Sequence, residues 1–328
     1  MSLISVLFAL LLEQARPLGK GNPVHASLRA WVRWSTRNFD AGKLFHGWLA
    51  WGFAVGGPSL AALVIYWVLD AVAGWPAAMI WSMAVLYATL GFRQFSFHFT
   101  QIRDALADGD EDRARDLLAQ WQQIDASELP RSEIVRHVIE HSVLAAHRHV
   151  FGVLAWYSVL AAFGFGPAGA VLYRLGEFVT RYWQYKSKTQ HQPVSEALQQ
   201  AASDAWVAID WLPARITAIS FAVVGSFEEA IDGWRNHEPR FEGDNDGVIL
   251  AATAGAVNIS LGSPGGGTLV PVDGALKMLQ EPTDRPGEPT LRQPPEPEHL
   301  AVIVGLVWRT VVMWMVLLAL LTLARLLG

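Results

Sequence analysis

The run from Leu300 to Leu323 is apolar for longer than the roughly 20 residues that cross a bilayer as a helix. Backbone polar groups have no water to bond in hydrocarbon, so such a run has to be helical. This constraint recurs along the chain. Gly47 to Leu69 is a second strong span, with Trp48, Trp51 and Trp67 near its ends and Gly56, Gly57 and Pro58 interrupting it. Tryptophans favour the interface, and the Gly-Gly-Pro break predicts a kink or close helix packing. Ala77 to Phe92 follows after a tight connection and predicts a membrane hairpin. A third span lies over Val150 to Phe165, and a fourth over Trp206 to Val224. The expected fold is therefore all-α: a polytopic helical integral membrane protein with about five membrane segments and polar helical excursions between them. The N-terminal run Leu3 to Leu12 is shorter. With no basic residue before it and no small-residue cleavage site after it, it reads as a retained segment rather than a signal peptide. It is a short tilted span, a re-entrant piece or an interfacial helix.

Composition agrees: 52% of the 328 residues are hydrophobic, 17% are charged and 15 are tryptophan. A net charge of −5 without a basic patch gives no argument for nucleic acid. The absence of cysteine excludes disulfides, zinc–thiolate sites and cysteine nucleophiles. The segment 281–299 holds six prolines up to Glu298 and reads as an extended linker between a domain over 1–280 and a C-terminal transmembrane helix over 300–328. Residues 13–46 carry six Lys and Arg and the 70–75 connection none, which places 13–46 and 93–149 in the cytoplasm of a cell inner membrane. The basic residues of 174–204 then fall outside, so charge counting leaves the topology after the third span open.

The polar stretch after residue 92 predicts two short helices broken at Gly109, with Asp110 as N-cap and Ala114, Leu117, Leu118 and Trp121 on one apolar face. A long helix then starts near Ser132. Asp108, Asp110 and Asp112 have calcium-loop spacing, but Arg113 and Ala119 stand where an EF-hand needs Gly and Glu, so this is a solvated acidic turn. His137 and His141 share a helix face, without the H-E-x-x-H pattern of zinc peptidases. The loop "LGSPGGG" from Leu261 lacks the Lys-Ser/Thr of a P-loop. Within "AIDWLPARITAISF", Asp210 and Arg215 flank Pro213. A charge at a helix centre costs about 2.5–3.5 kcal/mol, and proline frees a carbonyl that needs a partner. Either this helix lies in the headgroups, or it carries a polar site into the bundle.

These residues also carry a resemblance. "DWLPARITA" resembles the N-x-x-P-A-R-L segment of the CobD/CbiB family of membrane cobinamide-phosphate synthases. "NPVHASLRAWV", "VIEH" at Val138–His141, "GPAGAVLYR" at Gly166–Arg174 and "AGAVNISLGSP" at Ala254–Pro264 resemble other segments of that family, in the same order. The resemblance implies a membrane enzyme that joins a corrinoid carboxylate to an aminopropanol unit as an amide, using ATP and a divalent metal. Carried over, it makes Glu140, Asp210 and Arg215 the candidate catalytic residues. Arg174, Glu177, Asp204, Gly262, Ser263 and Pro264 become candidate ligand-binding residues.

Departures are specific. Leu144, Ala145, Arg148 and His149 replace the family's further Glu, Asn, Asp and Gly after Glu140. Trp206 and Val207 replace a pair of acids, and Asp210 stands where Asn is usual. "YWQYK", "DAWVAIDWLPARITAISFAVVGSFEEAIDGW" and, early on, "RNFDAGKLFHGWLAW" resemble in texture the AmpE branch of the same superfamily, inner-membrane proteins associated with signalling for β-lactamase induction. Two readings follow. One is a degenerate-site, AmpE-like regulator or sensor. The other is an active ligase rebuilt from Glu140, Glu177, Asp204 and Asp210, with a corrinoid or other small carboxylate as partner. A transporter is a third reading, suggested only by the broken helix.

Overall fold

The computed structural model describes residues 2–16, 23–122, 124–189, 194–237, 245–262, 271–272, 275–276 and 292–327. The architecture is all-α. In chain order the helices are α1 (Ser2–Ala15), α2 (Pro23–Phe39), α3 (Leu44–Trp51), α4 (Gly57–Ala73), α5 (Trp75–Thr89), α6 (Phe92–Ala107) and α7 (Glu111–Gln122). Then come α8 (Arg131–Ala146), α9 (Gly152–Ala162), α10 (Ala168–Thr189), α11 (Glu196–Val224), α12 (Phe227–His237), α13 (Asn245–Ala256) and α14 (Pro297–Leu327). Among the described residues, β pairing is confined to a two-residue ribbon, Pro271–Val272 against Ala275–Leu276, and an isolated bridge between Ile259 and Gln293.

Among the described residues, four helical runs are long and apolar enough to cross a membrane: Leu44–Ala73, Arg131–Ala162, Glu196–Val224 and Pro297–Ala324. Three of them contain a span expected from sequence, and Arg131–Ala162 covers the expected 150–165 span up to Ala162, where the helix ends. The remaining expectation, Ala77 to Phe92, changes. Helix α5 has 15 residues and ends at Thr89, which gives about 22 Å at 1.5 Å per residue, short of the hydrocarbon thickness. The chain turns extended at Leu90 and begins α6 at Phe92. The second arm of the hairpin is thus shorter than its hydropathy suggests, and it packs between α1 and α4.

Two of the long runs contain π-helical turns. Gly52–Gly56 joins α3 to α4 just ahead of Pro58. Proline has no N–H for the carbonyl four residues back, and a wider turn absorbs that mismatch without ending the helix. His147–Phe151 joins α8 to α9.

The chain divides into two compact units. The first comprises 1–98, 144–217 and 307–328. Its core joins Val32 of α2, Ala50, Ala54 and Val55, and Leu175, Val179 and Trp183 of α10 with Leu198 and Ala202 of α11. Small residues permit close approach: a Cβ on Gly47 would stand 2.7 Å from the Ala197 carbonyl oxygen, and one on Gly169 only 2.1 Å from that of Trp156.

The second unit comprises 99–143 and 218–306. Gly109, at φ +79°, separates α6 from α7, and the Asp110 carboxylate accepts the Arg113 N–H at 3.0 Å as a helix cap. Ala114 and Leu118 are fully buried, as their spacing predicts. The alanine-rich α13 lies directly on α12, where a Cβ on Gly255 would stand 2.1 Å from the Glu229 carbonyl oxygen.

Candidate functional site

The first unit holds a buried polar network. His147 opens the π turn between α8 and α9 and is fully enclosed. Such turns recur at functional sites because they re-aim side chains out of the regular register. The His147 Nε2 lies 2.9 Å from Asp210 Oδ1, and its Nδ1 lies 2.9 Å from Thr217 Oγ1. Asp210 and Thr217 are two turns apart on α11 and share a face. Tyr173, from α10, donates its hydroxyl to the same Asp210 Oδ1 at 2.7 Å and lies 3.1 Å from His147 Nε2. Asp210 Oδ2 is buried with no hydrogen-bond partner among the described residues. The hydrogen bonds from His147 and Tyr173 to Asp210 Oδ1 are what let a low-dielectric interior tolerate these groups. Ionisable groups in such a setting mark functional sites by default.

Glycine makes room for this network. A Cβ on Gly152 would fall 2.0–2.3 Å from the Tyr173 ring and hydroxyl. The Trp206 ring stands tilted 5.2 Å from that of Tyr173. Hence Trp206, which replaces an acid of the family pattern, serves as a wall of the pocket that holds Tyr173.

Arg215 stands on another side of α11. Five residues on a helix turn through about 500°, which leaves Arg215 far round the cylinder from Asp210. It lies over the Trp211 ring at 4.4 Å and donates to the Trp211 carbonyl at 3.1 Å. Nor does Pro213 break the helix, which runs unbroken through α11. The freed carbonyl is that of Ile209, and the Trp156 indole N–H donates to it at 2.9 Å.

On α10, Glu177 is buried and held by two arginines, with Arg174 at one oxygen and Arg181 Nε 2.8 Å from the other. Asp204 is exposed on α11, six residues and so about 120° round the helix from Asp210. Within this unit, then, Asp210 and Asp204 point to different surroundings.

In the second unit, Arg136 bridges Glu133 and Glu140, with its Nη1 3.2 Å from Glu140 Oε1. That oxygen also accepts the Gly262 N–H at 2.8 Å. Gly262 sits at φ +85°, a conformation that glycine adopts without strain. The first residue of the glycine loop is therefore tied to the Glu140 carboxylate, while Ser263 and Pro264 lie outside the described residues. The two histidines go elsewhere. His141 meets the edge of Trp121 at 4.4 Å, and the His137 carbonyl accepts from Gln122.

Sequence reasoning missed His147, Tyr173, Thr217 and Trp156. A buried histidine next to Arg148 and His149 offers no pattern until α11 is packed against it.

The CobD/Cbib protein family model matches residues 3–274. The chain belongs to that family. A cobalamin biosynthesis protein CobD of Stutzerimonas stutzeri is 29% identical over 324 residues, which is 96% of each chain. One of Chromobacterium violaceum is 33% identical over 180 residues, 55% of this chain and 54% of that one. Another, of Leptospira interrogans, is 28% identical over 197 residues. No solved structure matches.

The family implies a divalent metal, and the donor set speaks to that. Among the described residues no three His, Asp or Glu groups converge to hold a metal ion. Glu133 and Glu140 are engaged by Arg136, and Glu177 by Arg174 and Arg181. Arginine-paired carboxylates are poor ligands for a hard cation that needs several free oxygens. As paired, these carboxylates do not fit a metal.

Proposed function

We propose that this protein acts in cobalamin biosynthesis, as an inner-membrane enzyme that forms an amide between a corrinoid carboxylate and an amine in an ATP-dependent reaction. The carrying observation is the likeness to a cobalamin biosynthesis protein CobD along nearly the whole of both chains. Two features support it. Glu140, a residue of the family pattern, is held by Arg136 and holds Gly262 at the mouth of the glycine loop. Asp210, in the Pro-Ala-Arg segment, sits in an enclosed network with His147 and Tyr173. Glu140 is a positioning residue in this reading, and so is Asp210.

An AmpE-like regulatory role is the second reading. One observation favours it: the acids Glu133, Glu140 and Glu177 are all engaged by arginines rather than open to a metal.

Complementation separates the two. The full chain is expressed in a strain lacking its cobinamide-phosphate synthase and supplied with cobyric acid. Growth that Glu140→Ala abolishes supports the enzyme. No growth, with the protein present in the membrane fraction, removes cobinamide synthesis and leaves the regulatory reading.

A further inference from the structure

A cavity of ≈ 360 Å³ lies in the first unit, and of its lining only Gly166 belongs to a segment of the family pattern. It is bounded by the start of α1, the end of α4, the start of α5, the end of α9 and the C-terminal part of α14. None of these segments supplies an Asp, Glu, Lys, Arg or His to its lining. The wall is apolar, with hydroxyls set into it. Tyr157 is buried and lies within hydrogen-bonding reach of Ser5 and Ser82, themselves buried. The next residue, Ser158, turns a buried Oγ to the lining, with no hydrogen-bond partner among the described residues. A buried hydroxyl without a partner is costly in an apolar setting.

The rim is built rather than loose. Gly166, at φ +54°, receives the Tyr66 ring where a Cβ would stand 2.5 Å away. From the next residue of α4, the Trp67 indole N–H donates to the Gly164 carbonyl at 3.0 Å. The cavity also reaches the outside of the bundle, since two of its lining residues, Trp75 and Leu321, are 53% and 62% exposed. Leu321 belongs to the most hydropathic of the four candidate spans, so its exposed face meets lipid. Trp75, at the α4–α5 turn, is of the type that settles at the membrane interface.

We propose that this cavity is a binding site for a membrane glycerolipid, taking the upper part of one acyl chain and its ester. The described lining is apolar side chains and hydroxyls, which suits an acyl chain and its ester rather than a charged headgroup. The Ser158 hydroxyl can donate to an ester carbonyl, the acceptor that a glycerolipid carries next to its acyl chain. The volume falls in the range of small-molecule sites and accommodates a chain segment rather than a whole lipid. The site is independent of the proposed reaction.

Native mass spectrometry of the delipidated full chain tests this, with dioleoylphosphatidylcholine or dioleoylphosphatidylglycerol added back. One copy of either lipid is expected to survive activation that strips the rest, to similar extents. Ser158→Ala is expected to reduce the retained fraction about fivefold, the loss of one hydrogen bond, without lowering thermal stability in lipid-free detergent. Ala161→Trp, which fills the space, is expected to abolish retention. Equal retention by wild type and Ser158→Ala means annular lipid only and overturns the proposal, whether or not Ala161→Trp folds. A strong preference for one headgroup overturns it as well.

Discussion

The indole N–H of Trp156 donates to the carbonyl of Ile209, the group that Pro213 leaves without its helical partner. Proline normally ends or kinks a helix because the carbonyl four residues back is stranded. In a membrane bundle a neighbouring side chain can take that carbonyl instead. Here α9 does this for α11, and the 29-residue helix continues past the proline. That continuity sets Asp210 and Thr217 on one face, opposite His147.

This relationship predicts a coupling. Trp156→Phe should destabilise the protein by about 1–3 kcal/mol, the cost of leaving a buried carbonyl unbonded. In a Pro213→Ala background the residue at 213 regains its N–H and bonds Ile209 itself, so the same Trp156→Phe should cost clearly less. Thermal melts of the four variants in one detergent give the cycle. Equal costs in both backgrounds would contradict the assignment.

Gly152 carries a second prediction. Gly152→Ala would place a methyl inside the Tyr173 ring, and overpacking of that kind costs about 1–3 kcal/mol or more. Tyr173→Phe keeps the ring and should not relieve the strain. Tyr173→Ala in the Gly152→Ala background should recover part of the loss, as read from the melting temperature.

For the His147–Asp210 pair the ordering of variants is diagnostic. Asp210→Ala strips the partner from a fully buried His147 and should cost about 3–5 kcal/mol. Asp210→Asn keeps an oxygen for Tyr173 and His147 and should cost less. His147→Ala combined with Asp210→Asn should be milder than the sum of the single changes. Chemical denaturation in mixed micelles provides the comparison.

Glu140 is testable without reference to turnover. Glu140→Gln keeps an acceptor for the Gly262 N–H but loses the ion pair with Arg136. Glu140→Ala loses both. Hydrogen exchange at Gly262 should therefore accelerate strongly in Glu140→Ala and only modestly in Glu140→Gln. Uniform protection in both variants would mean that the carboxylate does not hold the loop.

The sequence alone determined the class of this protein. Long apolar runs admit only helices in a membrane, and the order of five short segments carried the family resemblance over most of the chain. Local signals were equally legible: the Asp110 cap, the buried face of Ala114 and Leu118, and the start of the long helix near Ser132. They depend on neighbours a few residues away, and those are visible in the chain. What sequence could not decide was the partner of each charge. Asp210 and Arg215 look like a pair in one dimension, yet a helix turns them apart. The true partners of Asp210 lie at His147 and Tyr173, brought in by α8–α9 and α10. Whether Pro213 broke its helix likewise depended on Trp156, more than fifty residues earlier. Pairing across helices is a property of their packing, and only the tertiary structure supplies it.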